Sequence, residues 1–238
     1  MGQYYLPALF ETVKPISKET VITTVPPHYF DNGMKLTEHS YFGNSVVNTV
    51  INLVCMNGKA RVAWVGDYAD DIKRKDEKYS LYHAIKDNNS INSYATVNLS
   101  KPSRKKYMLN HTKMECVNLA DYPHTYKVKT FSLDENGKIV SKKEIEDVLH
   151  PLPLLTCMGN YRGGGDYWPK FAPKDTLDYV GTWAGDVISF TDQEPNDKWE
   201  EIQPRFYHPT YDLISDLIAQ AKNSIEDIKS VKKISNPK

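Results

Sequence analysis

From Ser45, a good N-cap residue, the apolar positions Val46, Val47, Val50, Ile51 and Val54 recur at helical spacing until Asn57-Gly58 supplies a stop. This is the clearest helical period in the first half of the chain, and short runs of another kind surround it. Gln3–Phe10 and Thr20–Val25 are rich in Tyr, Val, Ile and Thr and are broken by Pro7, Pro15, Pro26 and Pro27, which reads as strands at a sheet edge. One well-marked helix among short strands points to an α+β fold, mainly antiparallel sheet with a few helices.

The rest of the chain extends the pattern. Ala60–Gly66 reads as a buried strand, Tyr79–Ile85 as a short helix, Asp87–Ser103 as a polar loop without period, and Tyr107–Val117 as a further strand. Lys127–Leu133 and Lys138–Ser141 flank Asp134-Glu135-Asn136-Gly137, whose Asn-Gly pair favours positive φ and so a tight hairpin, an inserted arm. Ser141–Leu149 is expected to form a short helix that His150-Pro151-Leu152-Pro153 ends. Tyr211–Val231 places Leu213, Leu217, Ala221, Ile225 and Ile228 at spacings of three and four, an amphipathic helix before a fraying tail. The expected organisation is therefore one globular unit over 1–209 followed by a helix and tail over 210–238.

Composition excludes several classes. The 238 residues, 40% hydrophobic with 16 Tyr, 7 Phe and 4 Trp, describe a globular chain able to bury a core. Thirty basic and 30 acidic side chains cancel, so no whole-protein field holds a polyanion, and general nucleic-acid binding is not expected. The longest mostly apolar stretch, Val46–Met56, is interrupted by Asn48, Thr49 and Asn52 and is far short of the roughly 20 residues that span a bilayer. The opening Met1–Leu6 has neither the basic region nor the apolar run of a signal peptide. Cys55, Cys116 and Cys157 are odd in number and without metal-ligand spacing, as expected for reduced thiols in a cytoplasm.

Two short patterns repeat in order. Gly43-Asn44 precedes Trp64-Val65-Gly66-Asp67, and Gly159-Asn160 precedes Trp183-Ala184-Gly185-Asp186, with a tyrosine-led strand opening each half. A duplication would make 1–100 and 104–200 two related lobes, with Gly66-Asp67 and Gly185-Asp186 in equivalent places. Chance recurrence of strand-end turns is the alternative. Trp64 and Trp183 themselves read as core.

The residues able to carry chemistry cluster at these turns. In Gly159-Asn160-Tyr161-Arg162-Gly163-Gly164-Gly165-Asp166 the three glycines Gly163, Gly164 and Gly165 free backbone amides to converge on an anion. Arg162 adds a bidentate fork, and Asp166 could orient a hydroxyl, a base or a metal water. The pattern is neither a P-loop nor a dinucleotide fingerprint, and a flexible surface turn would look the same. Gly66-Asp67-Tyr68-Ala69-Asp70-Asp71 crowds three carboxylates, a density relieved by Mg²⁺ on Asp67 and Asp70 or by Lys73, Arg74 and Lys75 in a solvated turn. His111, within Asn110-His111-Thr112-Lys113, could serve as general base, although a lone His is more often a hydrogen-bonded structural one. His39 invites the same two readings.

At these residues the chain resembles a family of uncharacterised proteins of bacterial and bacteriophage genomes. The shared motifs are the opening Met1–Tyr5, Gly66–Asp70, Asn110–Lys113, Gly159–Asp166 and Trp183–Asp186, with Lys35–Ser40 and His150–Leu155 also similar. The Lys127–Ser141 hairpin and the C-terminal helix lie outside the resemblance. Met114-Glu115-Cys116 departs from it where the family tends to Lys/Arg-Glu-Tyr. The resemblance implies a bacterial or phage cytoplasmic protein with a site at these motifs, and it implies no reaction.

Together these readings gather Asp67, Asp70, Asn110, His111, Arg162, Gly163–Gly165, Asp166 and Asp186 around one cleft. The expectation is a phosphate-bearing, nucleotide-like ligand, with or without hydrolysis. In that site His111 and Asp166 would be catalytic, Asn110, Arg162, the glycines and Asp186 would hold the ligand, and Asp67 and Asp70 the metal. The rival expectation is a protein without catalysis that sequesters a host signal, occludes a host protein through its C-terminal helix, or serves in virion assembly.

Overall fold

The computed structural model describes residues 3–74, 77–86, 98–122, 125–133, 139–159 and 179–204. Its centre is a mixed, mainly antiparallel sheet, an α+β fold. β1 (Tyr5–Phe10) lies between β2 (Val21–Thr24) and β3 (Ala60–Gly66), antiparallel to both. β6 (Tyr107–Asn110) lies between β7 (Glu115–Asn118) and β11 (Val187–Thr191), and β12 (Glu200–Glu201) closes that edge parallel to β7. The strand order is β12-β7-β6-β11-β3-β1-β2.

β3 joins the two halves because two strands share one of its edges. β11 pairs its first part, Val187 opposite Arg61, and β10 (Cys157–Met158) runs parallel to its second part, Met158 opposite Val65. Between them the amide of Gly185 donates to Val62 O at 2.9 Å and that of Trp64 to Thr156 O at 2.9 Å, so the edge stays paired along its length.

Alternation sends apolar residues to both faces of β1 and β3. Tyr5, Leu9, Val62 and Trp64 join the larger core with the apolar face of α2 (Ser45–Met56) and with α4 (Pro151–Leu155). Leu6, Ala8, Phe10, Ala63 and Val65 join a smaller core with Leu81 and Ile85 of α3 (Leu81–Ile85). Trp64 and Trp183 are both fully buried. Among the described residues no helix is long and apolar enough to cross a membrane, and Cys55, Cys116 and Cys157 are free thiols.

Several local expectations change. Tyr107–Val117 is two strands, since Asn110 turns the chain: its Oδ1 accepts the amides of Thr112 and Lys113, and Met114 takes φ of 60°. Ser141–Leu149 is not a helix. Most of it belongs to β9 (Ile139–Asp147), which pairs along its whole length with β8 (Thr125–Leu133) in the hairpin arm. The helix begins where one was expected to end, because His150 Nδ1 accepts the Leu152 amide as an N-cap and prolines in a first turn forfeit only amides that have no helical partner. The expected Tyr79–Ile85 helix starts at Leu81, with Ser80 as N-cap and β5 (Glu77–Tyr79) before it.

The two Trp-x-Gly-Asp segments do not occupy equivalent places. Trp64 lies inside β3, whereas Trp183 lies in a turn ahead of β11, where Gly185 has φ of 76°. Their indole N–H groups find different partners, His39 Nε2 for Trp64 and the Glu115 carboxylate for Trp183. The C-terminal helix over Tyr211–Val231 lies outside the described residues.

Candidate functional site

The parallel pairing of β10 with β3 ends both strands side by side, so Gly159 follows Met158 next to Gly66-Asp67. A Cβ on Gly66 would stand 2.6 Å from Met158 O and 2.3 Å from the Gln3 amide nitrogen, and one on Gly159 would strike the same amide. Both glycines are therefore needed to let the backbones close on Gln3. Gln3 is buried, its Oε1 accepts from Tyr5 O–H at 2.9 Å, and its Nε2 has no partner among the described residues. Sequence reasoning passed over Gln3, whose one signal is a polar residue at the head of the apolar, aromatic run that forms β1. Arg162, Gly163, Gly164, Gly165 and Asp166 lie outside the described residues.

Asp67 serves the start of β1, its Oδ1 accepting the Tyr4 amide at 3.0 Å while its own amide donates to Tyr4 O. Asp70 is exposed in a shallow polar depression with Asp71, Lys73 and Lys78, where Lys78 pairs with Asp71 at 3.2 Å. Among the described residues no group of three or more His, Cys, Asp or Glu stands together as metal ligands. Asp67 is thus engaged with the Tyr4 amide, and Asp70 lies beside lysines in a solvated turn.

Asn110, His111 and Asp186 gather at a different place. Asn110 is fully buried and donates from Nδ2 to Asp186 Oδ2 at 2.8 Å, while Asp186 O accepts the Val62 amide. Val62 lies within β3 and Asp67 just past its end, five residues on, roughly 16 Å at about 3.3 Å per residue. Of the expected cleft's described residues, Asn110, His111 and Asp186 thus stand apart from Asp67. His111 Nε2 is 2.7 Å from Ser189 Oγ, and its ring meets Trp199 edge-on at 5.2 Å. Burial, and then the charge of Lys59, push its pKa down, which keeps the imidazole neutral. No acid reaches its other nitrogen among the described residues, so the pair lacks the third member of a catalytic triad.

His39 is equally committed. Its Nδ1 donates to Gly33 O at 2.9 Å, its Nε2 accepts from Trp64 Nε1 at 3.1 Å, and burial lowers its pKa to about 4.

A cavity of about 490 Å³ opens between α2 and the run 102–106. The asparagines that interrupt the apolar pattern of α2 build it. Asn48 Nδ2 donates to Gly43 O and Ser100 O, and Asn52 Nδ2 to Leu99 O and Lys101 O, which straps the incoming chain along the helix. Phe42, Ile51 and Leu119 give the cavity an apolar floor. The Phe42 and His150 rings, 4.4 Å apart, form an aromatic wall, with Tyr122 beside Phe42 at 6.0 Å outside the lining. Arg104, Lys105 and Lys106 supply the cationic side. Lys105 Nζ is bound to Asp192 at 2.7 Å, whereas Arg104 and Lys106 are exposed and their side chains form no ion pair among the described residues, although the backbone and charge of Lys106 also act on Asp192. The sequence signal for this site was Arg104-Lys105-Lys106 itself, three successive cations just beyond a polar loop.

Compared with known proteins, the chain matches no family model, no curated protein and no solved structure.

Proposed function

We propose that this protein binds a phosphate-bearing small molecule of nucleotide size in the cavity between α2 and 102–106. One observation carries the reading: two exposed cations, Arg104 and Lys106, whose side chains form no ion pair among the described residues, stand beside an aromatic wall and an apolar floor. Phosphate suits the guanidinium and ammonium through charge-assisted hydrogen bonds, and a flat apolar body suits Phe42. The ligand class is the one expected from sequence, but the site is lined by none of the residues assigned to the expected cleft; of the sequence motifs only Gly43 and His150 reach it. Binding without hydrolysis is the reading, because β6 separates Lys106 at its start from His111 beyond its end. A cytoplasmic setting accords with three free thiols.

Calorimetric titration with a nucleotide panel tests this, alongside a melting curve for each variant. Arg104→Ala should weaken the best ligand by about 1.5–3 kcal/mol, the range for a hydrogen bond to a charged group, while leaving the melting temperature nearly unchanged because the side chain is exposed. Unaltered binding in an Arg104→Ala, Lys106→Ala double variant would refute the site.

A further inference from the structure

Arg104, Lys105 and Lys106 are consecutive, yet they are not equivalent. The described chain from 102 to 106 has no helical turn, and burial alternates along it: Arg104 and Lys106 exposed, Lys105 half-buried. Among the described residues Lys105 is the one whose side chain pairs with a carboxylate, that of Asp192 just past the end of β11, and the backbone and charge of Lys106 support the same carboxylate. The ion pair pushes the Asp192 carboxyl below and the Lys105 ammonium above their ordinary pKa values, chiefly through their shared hydrogen bond, so both groups are charged near neutral pH.

Among the described residues three cations and one carboxylate therefore leave a net charge of two positive on this side of the cavity. A phosphomonoester carries about −1.5 to −2 near neutral pH, which two cations match. A di- or triphosphate brings further negative charge toward Lys105, a lining residue whose charge the Asp192 carboxylate already meets. We propose that Asp192 is a specificity-setting positioning residue, which holds Lys105 aside and so tunes the cavity to a phosphomonoester over longer phosphate chains. This rests on the reading of the cavity as a phosphate site.

The test is isothermal titration of the full-length protein with AMP, ADP and ATP in magnesium-free buffer, for wild type, Asp192→Asn and the control Asp197→Asn. Asp197 is also exposed, so its variant makes the same change in net charge without touching Lys105. Wild type should bind AMP at least as tightly as ATP. Asp192→Asn should raise the ATP-to-AMP affinity ratio about three- to fivefold, the scale of one exposed charge pair, and the Asp197→Asn ratio should stay at the wild-type value. The gain should vanish in about 1 M salt, where the screening length is near 3 Å. If ATP outbinds AMP in wild type, or if both variants shift the ratio alike, Asp192 does not set specificity while the phosphate site stands. If wild type binds none of the three nucleotides, phenyl phosphate or inorganic phosphate, the site reading fails and the inference with it.

Discussion

His39 shows how a motif histidine that invites a catalytic reading can be wholly spent on packing. Both ring nitrogens are engaged, one as donor to Gly33 O and one as acceptor from the Trp64 indole, which defines a single neutral tautomer at 0% exposure. Protonation would break the Trp64 bond and bury a charge, hence the folded pKa of about 4 against an ordinary 6.5. The unfolded chain takes up a proton below about pH 6.5 and the folded chain does not. The stability that His39 contributes is therefore complete above that pH and is lost as pH falls toward 4, by roughly 3 kcal/mol over the window. Urea denaturation between pH 4.5 and 7.5 should show this slope, and His39→Gln should flatten it. His111, whose pKa is lowered in the same direction, adds a residual slope of the same sign.

At the scale of elements, the β6–β7 turn is held by one side chain. Asn110 caps the turn through Thr112 and Lys113 while its amide donates to Asp186, so it ties the β6–β7 hairpin to the entry of β11. Asn110→Ala would remove the acceptor of the Thr112 and Lys113 amides and the amide that donates to the Asp186 carboxylate. The expected cost is about 2–4 kcal/mol, from a net loss of about 0.5–1.5 per hydrogen bond and up to 3 where a charge is involved. Equilibrium unfolding in urea measures it, and an Asn110→Asp variant should recover the turn contacts but not the bond to Asp186. The motif Asn110–Lys113 thereby has a structural explanation independent of any ligand.

For the whole molecule, the decisive fact is that β3 is completed by strands from the other half. β11 and β10 fill one edge of it, and β1 fills the other. A chain ending at residue 100 would expose that edge and the apolar face of α2 that packs against Trp183 and Ile188 in the larger core. The fragment 1–100 should therefore show no cooperative thermal transition by circular dichroism, while the full chain melts as a unit. A cooperative melt of the fragment would revive two lobes that fold independently.

What could be read from sequence was what neighbours along the chain decide. Ser45–Met56 is a helix as its period and stop signal require, with Asn44 capping it, and the strand runs Tyr5–Phe10 and Ala60–Gly66 follow from β-branched and aromatic content. The hairpin was legible from its turn residues, although its second strand was partly misread because Ser141–Leu149 carries a pattern compatible with either state until β8 pairs with it. The candidate site was not legible. Asn48 and Asn52 look like interruptions of an apolar run until Ser100, Leu99 and Lys101 arrive to accept their amides from about fifty residues away. Asp186 likewise meets Asn110 rather than Asp67 because β11 enters beside the start of β3 and not its end. Caps, periods and turns are contacts between near neighbours and leave a trace in composition and spacing. Which strand fills which edge depends on apolar faces and hydrogen-bonding edges distant in the chain, and only the folded structure brings Arg104 and Lys106 to an aromatic wall.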